Sequence, residues 1–143
     1  MEIIIINGPN LNLLGKRETD IYGKIGFDDF LQQLRDENKA HHITYFQSNI
    51  EGELINKIQE MGFKCDGIIL NAAGYSHTSV AIADAIRAVK ALVVEVHISN
   101  VFSREDYRQT LLTASACVGS ISGLGLYGYK LALDFLLHQK SSE

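Results

Sequence analysis

Basic charge is scarce in this chain. Lys and Arg total 13 against 17 Asp and Glu, for a net charge of −4 and a pI of about 5.7. A nucleic-acid partner needs a basic face to meet its phosphates, so that class is disfavoured. Cysteine is scarcer still: Cys65 and Cys117 stand alone and share no metal or redox spacing. Both are expected to be reduced core thiols. No apolar run approaches the ~18 residues of a membrane span. Residues 1–6 read as a strand without a basic flank rather than as a secretory signal. The expectation is a cytoplasmic protein with no membrane partner. Tandem repeats, linkers and low-complexity tracts are lacking too. At 143 residues, 46% apolar and 21% charged, the chain is expected to form one domain, residues 1–143, with a sizeable core.

What is present begins with Glu2-Ile-Ile-Ile-Ile. A run of β-branched residues suits a central strand buried on both faces. Asn7-Gly-Pro stops it, and a long loop follows to Gly23. Loops of that length are usually functional lids or disordered. Leu11, Leu13, Leu14 and Ile21 argue against plain disorder.

The rest alternates between strand and helix patterns. A helix is expected over about 27–38, with Phe27, Phe30, Leu31 and Leu34 at helical spacing. His41-His42 reads as a solvated turn; no third ligand is near, so no metal role is assigned. A strand over 43–47 leads to Ser48-Asn-Ile-Glu51, which has capping-box spacing. The helix behind it carries Ile50, Leu54, Ile55, Ile58 and Met61 on one face, with Gly62 closing it. Then come a strand over 67–70, a helix over about 80–90 and a strand over 91–96 that delivers His97. Ser103-Arg-Glu-Asp106 signals a cap for a helix to about residue 113. A strand over about 116–121 and a helix over about 129–138 complete the chain. Five βα units with near-continuous apolar strands imply an α/β fold: a parallel sheet with helices on both faces and right-handed crossovers. Five strands point to the flavodoxin-like three-layer order 2-1-3-4-5. Ligands in such sheets bind beyond the carboxyl ends of the strands, near the switch point. Strands one, three and four would end there side by side, bringing Asn, Arg, Tyr, His and Arg around one crevice.

Glu95 and His97, two apart on a strand, share a face at roughly 6.5–7 Å along the backbone. A carboxylate at that distance can fix an imidazole's tautomer and favour its protonated form, which suits a general acid. The same spacing also fits a structural pair. Arg17 lies five residues before Tyr22; a nearby guanidinium favours the phenolate and makes tyrosine a usable base. A lid arginine in solvent and a packed tyrosine would look the same. Arg104 and Arg108, four apart, would share a helix face and could hold a carboxylate or polyol, or pair with Glu105 or Asp106. His77 follows strand three, as a ligand or as a turn residue. No Gly-x-Gly-x-x-Gly follows strand one. The late Gly123-x-Gly125-x-x-Gly128 has no further βαβ unit to supply a ribose-binding carboxylate. The Gly-x-Ser-x-Gly elbow of a serine nucleophile is missing. A flavodoxin-like binding or signalling module would need a phosphate-binding first loop or an acidic phospho-acceptor cluster, and Asn7-Gly-Pro-Asn supplies neither.

Three stretches together resemble a family: Asn7-Gly-Pro-Asn-Leu-Asn-Leu-Leu-Gly-x-Arg17-Glu-x-x-x-Tyr22-Gly23, Tyr75-Ser-His77-Thr-Ser-Val-Ala and Glu95-Val-His97-Ile-Ser99-Asn100. They look like type II 3-dehydroquinate dehydratase, and the resemblance covers essentially the whole chain, including the Gly-Leu-Gly-x-x-Gly-Tyr129 turn. It implies a hydro-lyase that turns 3-dehydroquinate into 3-dehydroshikimate through an enolate. Tyr22 would be the base, Arg17 its activator and His97 the acid, and Asn12 would help hold a water at the enolate. Asn71, His77, Arg108 and the backbone at Ile98 and Ser99 would bind substrate. Asp84 would reach a neighbouring subunit's site in trimers assembled into a dodecamer. Thr19, Ala72 and Phe102 depart from residues frequent in the family; none is a proposed chemical group. No lysine suggests itself for a Schiff base, and no metal or other cofactor is called for.

Overall fold

The computed structural model describes residues 1–16 and 26–141. Arg17 and Tyr22 therefore lie outside the described residues. The elements are β1 (Glu2–Asn7), α1 (Phe27–Glu37), β2 (His42–Gln47), α2 (Glu51–Met61), β3 (Gly67–Asn71), α3 (Val80–Ala88), β4 (Leu92–His97), β5 (Gly119–Ser122) and α4 (Tyr127–Ser141). The strands form one parallel sheet in the order β2-β1-β3-β4-β5, as the βα alternation predicts. Among the described residues no helix is long and apolar enough to cross a membrane.

Two apolar layers sandwich the sheet. Ile3, Ile5, Ile69, Val94 and Val96 face α1 and α4, meeting Phe27, Leu31, Leu34, Leu133 and Leu136. Ile4, Ile6, Ile68, Leu70 and Val93 face α2 and α3, meeting Leu54, Ile58, Ile82 and Ile86. Strand alternation assigns each residue to one layer or the other. Burying such side chains is worth about 1.5–3 kcal/mol each, which makes the three central strands the rigid frame of the molecule.

Local details differ from the sequence reading where tertiary contacts outbid local preference. Ile50 does not face the core; it is the extended residue that caps α2 and is 58% exposed. Ser48 does not pair reciprocally with Glu51: its hydroxyl donates to Glu53 at 2.6 Å and accepts from the Ile50 N–H at 2.9 Å. Gly62 ends α2 with φ −64°, so its smallness matters more than its freedom; a Cβ there would stand 2.3 Å from Val89 Cβ. His42 begins β2 and pairs with Glu2 at 2.8 Å, rather than sitting in a turn. Cys65 and Cys117 are free thiols but only half-buried. Burial still pushes them up, to about 11 and about 12.

The largest correction concerns the expected helix from Ser103 to about Thr113. Three short 3-10 turns stand in its region: Val101–Ser103, Asp106–Gln109 and Ala114–Ala116. Its backbone groups are taken elsewhere. The Leu112 and Thr113 N–H groups donate to the Ser76 carbonyl at 2.8 and 3.5 Å, and the Thr110 carbonyl accepts from the His77 ring at 2.8 Å. The segment is thus bound across to the turn after β3, and a continuous helix would break those bonds. Strand β5 starts correspondingly later, with Gly119 opposite Val94.

Candidate active site

The carboxyl ends of β1, β3 and β4 converge on one crevice. Asn7 and Asn71 lie in register, and the Gly8 N–H donates to the Asn71 carbonyl at 2.7 Å. A Cβ on Gly8 would sit 2.5 Å from the Ala72 carbonyl oxygen, so glycine is what lets the two loops touch. Beyond it the chain turns at Asn10 (φ 71°), whose N–H donates to Asn49 Oδ1 at 3.0 Å. Leu11 and Leu14 then bury themselves, anchoring this part of the loop to the core.

The crevice has a volume of about 130 Å³. One wall is Pro9, Asn10, Leu11, Leu13 and Leu14; the floor and opposite wall are Asn71, Ala73, Gly74, His77, His97, Ile98, Ser99, Val101, Arg104 and Arg108. Seven residues singled out in the sequence are therefore brought together here: Asn71, His77, His97, Ile98, Ser99, Arg104 and Arg108. Against the expectation of a shared helix face, the two arginines arrive from separate turns. Arg104 Nη1 donates to Ser99 Oγ at 3.2 Å, and Arg108 Nε donates to Glu105 Oε2 at 2.7 Å. Two candidates lie apart. Asn12 is exposed, and its Oδ1 accepts from Gln47 Nε2 at 3.5 Å. Asp84 is 72% exposed on α3, 3.9 Å from Arg87, and does not line the crevice of its own chain.

Beneath the floor, Glu95 is fully buried and accepts the Nε2 proton of His97 at 2.9 Å. Its other oxygen accepts from the hydroxyl of Thr113. With Nε2 committed, Nδ1 of His97 has no hydrogen-bond partner among the described residues. The His77 ring lies 6.1 Å from that of His97, inclined by 29°. Burial holds His77 below the ordinary histidine range, against the opposing pull of its bond to the Thr110 carbonyl. Among the described residues no group of three or more His, Cys, Asp or Glu is placed to hold a metal ion.

A second polar group supports the floor from the other side of the sheet. The Tyr129 hydroxyl donates to Asn7 Oδ1 at 2.8 Å and accepts from Asn71 Nδ2 at 2.9 Å. Asn71 Oδ1 accepts from the Ala73 N–H at 3.1 Å, fixing Ala73 at φ 53° beside the crevice. Sequence reasoning gives neither Thr113 nor Tyr129 a role in the site. Thr113 carries no signal because its segment reads as helix, while Tyr129 stands at the end of the glycine-rich turn. Chemically, the site offers two imidazoles and two guanidiniums around a small polar pocket. That composition suits an anionic, hydroxylated substrate, with one imidazole oriented to give or take a proton.

Comparison with known proteins points the same way. The family described as dehydroquinase class II matches residues 1–137. The chain is 53% identical over 142 residues to the 3-dehydroquinate dehydratase of Fusobacterium nucleatum subsp. nucleatum, covering 96% of this chain and 97% of that one. It is 51% identical over 138 residues to the 3-dehydroquinate dehydratase of a Clostridium botulinum type A strain, covering 95% and 94%. The crystal structure of type II dehydroquinase from Butyrivibrio crossotus superposes with a TM-score of 0.92 at 44% identity, covering 95% of this chain and 97% of that chain.

Proposed function

This chain belongs to the class II dehydroquinase family, and we propose on that premise how its residues divide the work. The reaction is the hydro-lyase step that takes water from 3-dehydroquinate to give 3-dehydroshikimate in the shikimate pathway. A base removes a proton from the carbon beside the ketone, and the electron pair moves onto the carbonyl oxygen as an enolate. The enolate then collapses, the bond to the β-hydroxyl breaks, and an acid protonates the departing oxygen to water.

Tyr22, drawn toward its phenolate by the guanidinium of Arg17, is the base. Asn12 holds a water against the enolate oxygen, turning inward from the Gln47 contact to do so. His97 is the acid. Glu95 holds one proton on Nε2, so the proton handed to the departing hydroxyl is the one that Nδ1 carries in the doubly protonated ring. Asn71, His77, Arg104, Arg108 and the backbone of Ile98 and Ser99 hold the substrate's carboxylate and hydroxyls. The observation that carries this reading is the buried Glu95–His97 pair opening onto the crevice floor. The catalytic unit is one domain, residues 1–143, working in the cytoplasm without nucleic acid or membrane as partner. It assembles as a homo-oligomer, a dodecamer built from trimers, in which Asp84 completes the site of an adjacent subunit. The exposure of Asp84, away from its own crevice, supports that part.

Adding 3-dehydroquinate to the purified protein and following enone absorbance tests the activity; a flat trace overturns it. Light scattering at assay concentration tests the assembly, and a fully active monomer refutes it. Mixing Asp84→Ala with Tyr22→Phe subunits tests site sharing. Activity is expected to return in mixed oligomers, and its absence there means that each site is built from one chain.

A further inference from the structure

Glu95 is the only fully buried carboxylate among the described residues. A buried carboxylate is tolerated only when its oxygens are met by donors. Oε2 is met by His97 at 2.9 Å, and Oε1 by the hydroxyl of Thr113, itself with no exposure. Thr113 does not come from a neighbouring strand position. It is brought over the sheet by the segment that fails to become a helix, and its N–H is tied to the carbonyl of Ser76. Ser76 precedes His77, so one backbone clamp joins the turn bearing His77 to the residue that meets Glu95. On the far side, Cys117 Sγ donates to the Thr113 carbonyl at 3.3 Å. Thr113 is thus held from two directions, and its hydroxyl has a defined target.

We propose that Thr113 is a positioning residue for this dehydration: its hydroxyl holds the Glu95 carboxylate turned so that Oε2 keeps the Nε2–H of His97, which aims the Nδ1–H of the doubly protonated ring at the departing hydroxyl. A carboxylate held at only one oxygen can rotate about its terminal torsion, which is broad. Rotation would let the imidazole turn, so that its Nδ1–H is no longer aimed at the departing hydroxyl; in the neutral ring left after proton transfer, the remaining proton would settle on whichever nitrogen finds the better acceptor. Thr113 acts through Glu95 and His97 and does not touch the substrate, so its loss is expected to slow the step that uses the acid and to spare binding. This inference rests on the dehydratase reading above.

The test compares Thr113→Val, which keeps the shape and removes the hydroxyl, with Thr113→Ser, which keeps the hydroxyl. Thr113→Val is expected to lower kcat by about 10- to 100-fold, by analogy with the loss of an outer partner behind a metal-bound histidine, with KM nearly unchanged. Solvent hydrogen exchange at the substrate's acidic carbon is expected to fall less than net dehydration. Thr113→Ser is expected to stay near the parent protein. Nitrogen-15 shifts of His97 in the neutral state are expected to show the proton on Nε2 in the parent and a mixture of tautomers in Thr113→Val. A folded Thr113→Val with parental kcat overturns the proposal, as does a Thr113→Ser as slow as Thr113→Val, which would assign the effect to methyl packing. Should valine prevent folding, the parent's tautomer and the Thr113→Ser rate decide: a proton on Nδ1, or a slow folded serine variant, overturns it. Inactivity of the parent on 3-dehydroquinate would instead defeat the functional reading and leave the tautomer result standing.

Discussion

The sheet carries polar groups at the same end of both its faces, and the two sets behave differently. On the α1/α4 face, Asn7 and Asn71 continue the rows of Ile3, Ile5 and Ile69, and meet the buried Tyr129. On the α2/α3 face, Glu95 and His97 continue the row of Val93 and meet Thr113. The first set is neutral and satisfied from within. Asn7 Nδ2 donates to the Tyr45 hydroxyl at 3.3 Å, and both heteroatoms of the Asn71 amide have partners. Asn71 keeps one N–H and one lone pair for a ligand. The second set holds a buried carboxylate and leaves one imidazole nitrogen open to the crevice. Burying a neutral network costs little once every donor has an acceptor, whereas burying a carboxylate is expensive even when paired. A scaffold can be built from the first kind; the second belongs where a proton must be handled.

Breaking the charged set is expected to give the largest effects, on rate. Loss of a general acid or base costs on the order of 10²–10⁴-fold. Tyr22→Phe, a change at the proposed base and outside both sets, is expected to lose proton exchange and dehydration together. His97→Ala is expected to lose dehydration while solvent exchange at the acidic carbon survives better. Equal loss of both rates in His97→Ala would mean that His97 only positions substrate. Near-normal turnover of Tyr22→Phe would remove it as the base.

Breaking the neutral set should show as stability instead. Tyr129→Phe leaves Asn7 Oδ1 and Asn71 Nδ2 short of a buried partner, at a cost of about 1–3 kcal/mol. Denaturant midpoints are expected to fall while kcat changes far less than in His97→Ala. A variant of unchanged stability that lost turnover would erase the distinction between the two sets.

The smallest effect concerns His77, which belongs to the charged end. Burial lowers its pKa in the folded state, so below the usual histidine value the unfolded chain binds the proton more readily. Protonation therefore favours unfolding, and the contribution of His77 to stability is lost as pH falls through that range. His77→Gln should make the decline of Tm as pH falls below about 6.5 shallower than in the parent. An identical decline would mean that His77 titrates as an exposed histidine.

Much of the site is legible in the sequence because it follows from periodicity. A residue two along a strand shares its face, so spacing alone pairs Glu95 with His97. Strand ends of a βα alternation meet at one edge, so Asn71, His77 and His97 fall around one crevice. Of the four apolar loop residues that argue against plain disorder, Leu11 and Leu14 are buried, Leu13 is half-buried and Ile21 lies outside the described residues. Arg104 and Arg108 reach the crevice for a reason other than the one their spacing suggests. Asn12 is assigned through resemblance, and its side chain here turns to Gln47.

By itself, the sequence determined the strand order, the two apolar layers and the identity of the acidic and imidazole groups at the strand ends. Those depend on alternation and on burial, which are local and repeat along the chain. The path of residues 103–118 and the partners of Glu95 and Asn71 were decided only by the tertiary structure. A cap signal and helical spacing contribute about 1 kcal/mol or less per residue. Several hydrogen bonds to the turn after β3 outweigh them, and no local pattern announces a bond between residues as distant in the chain as Thr113 and Ser76.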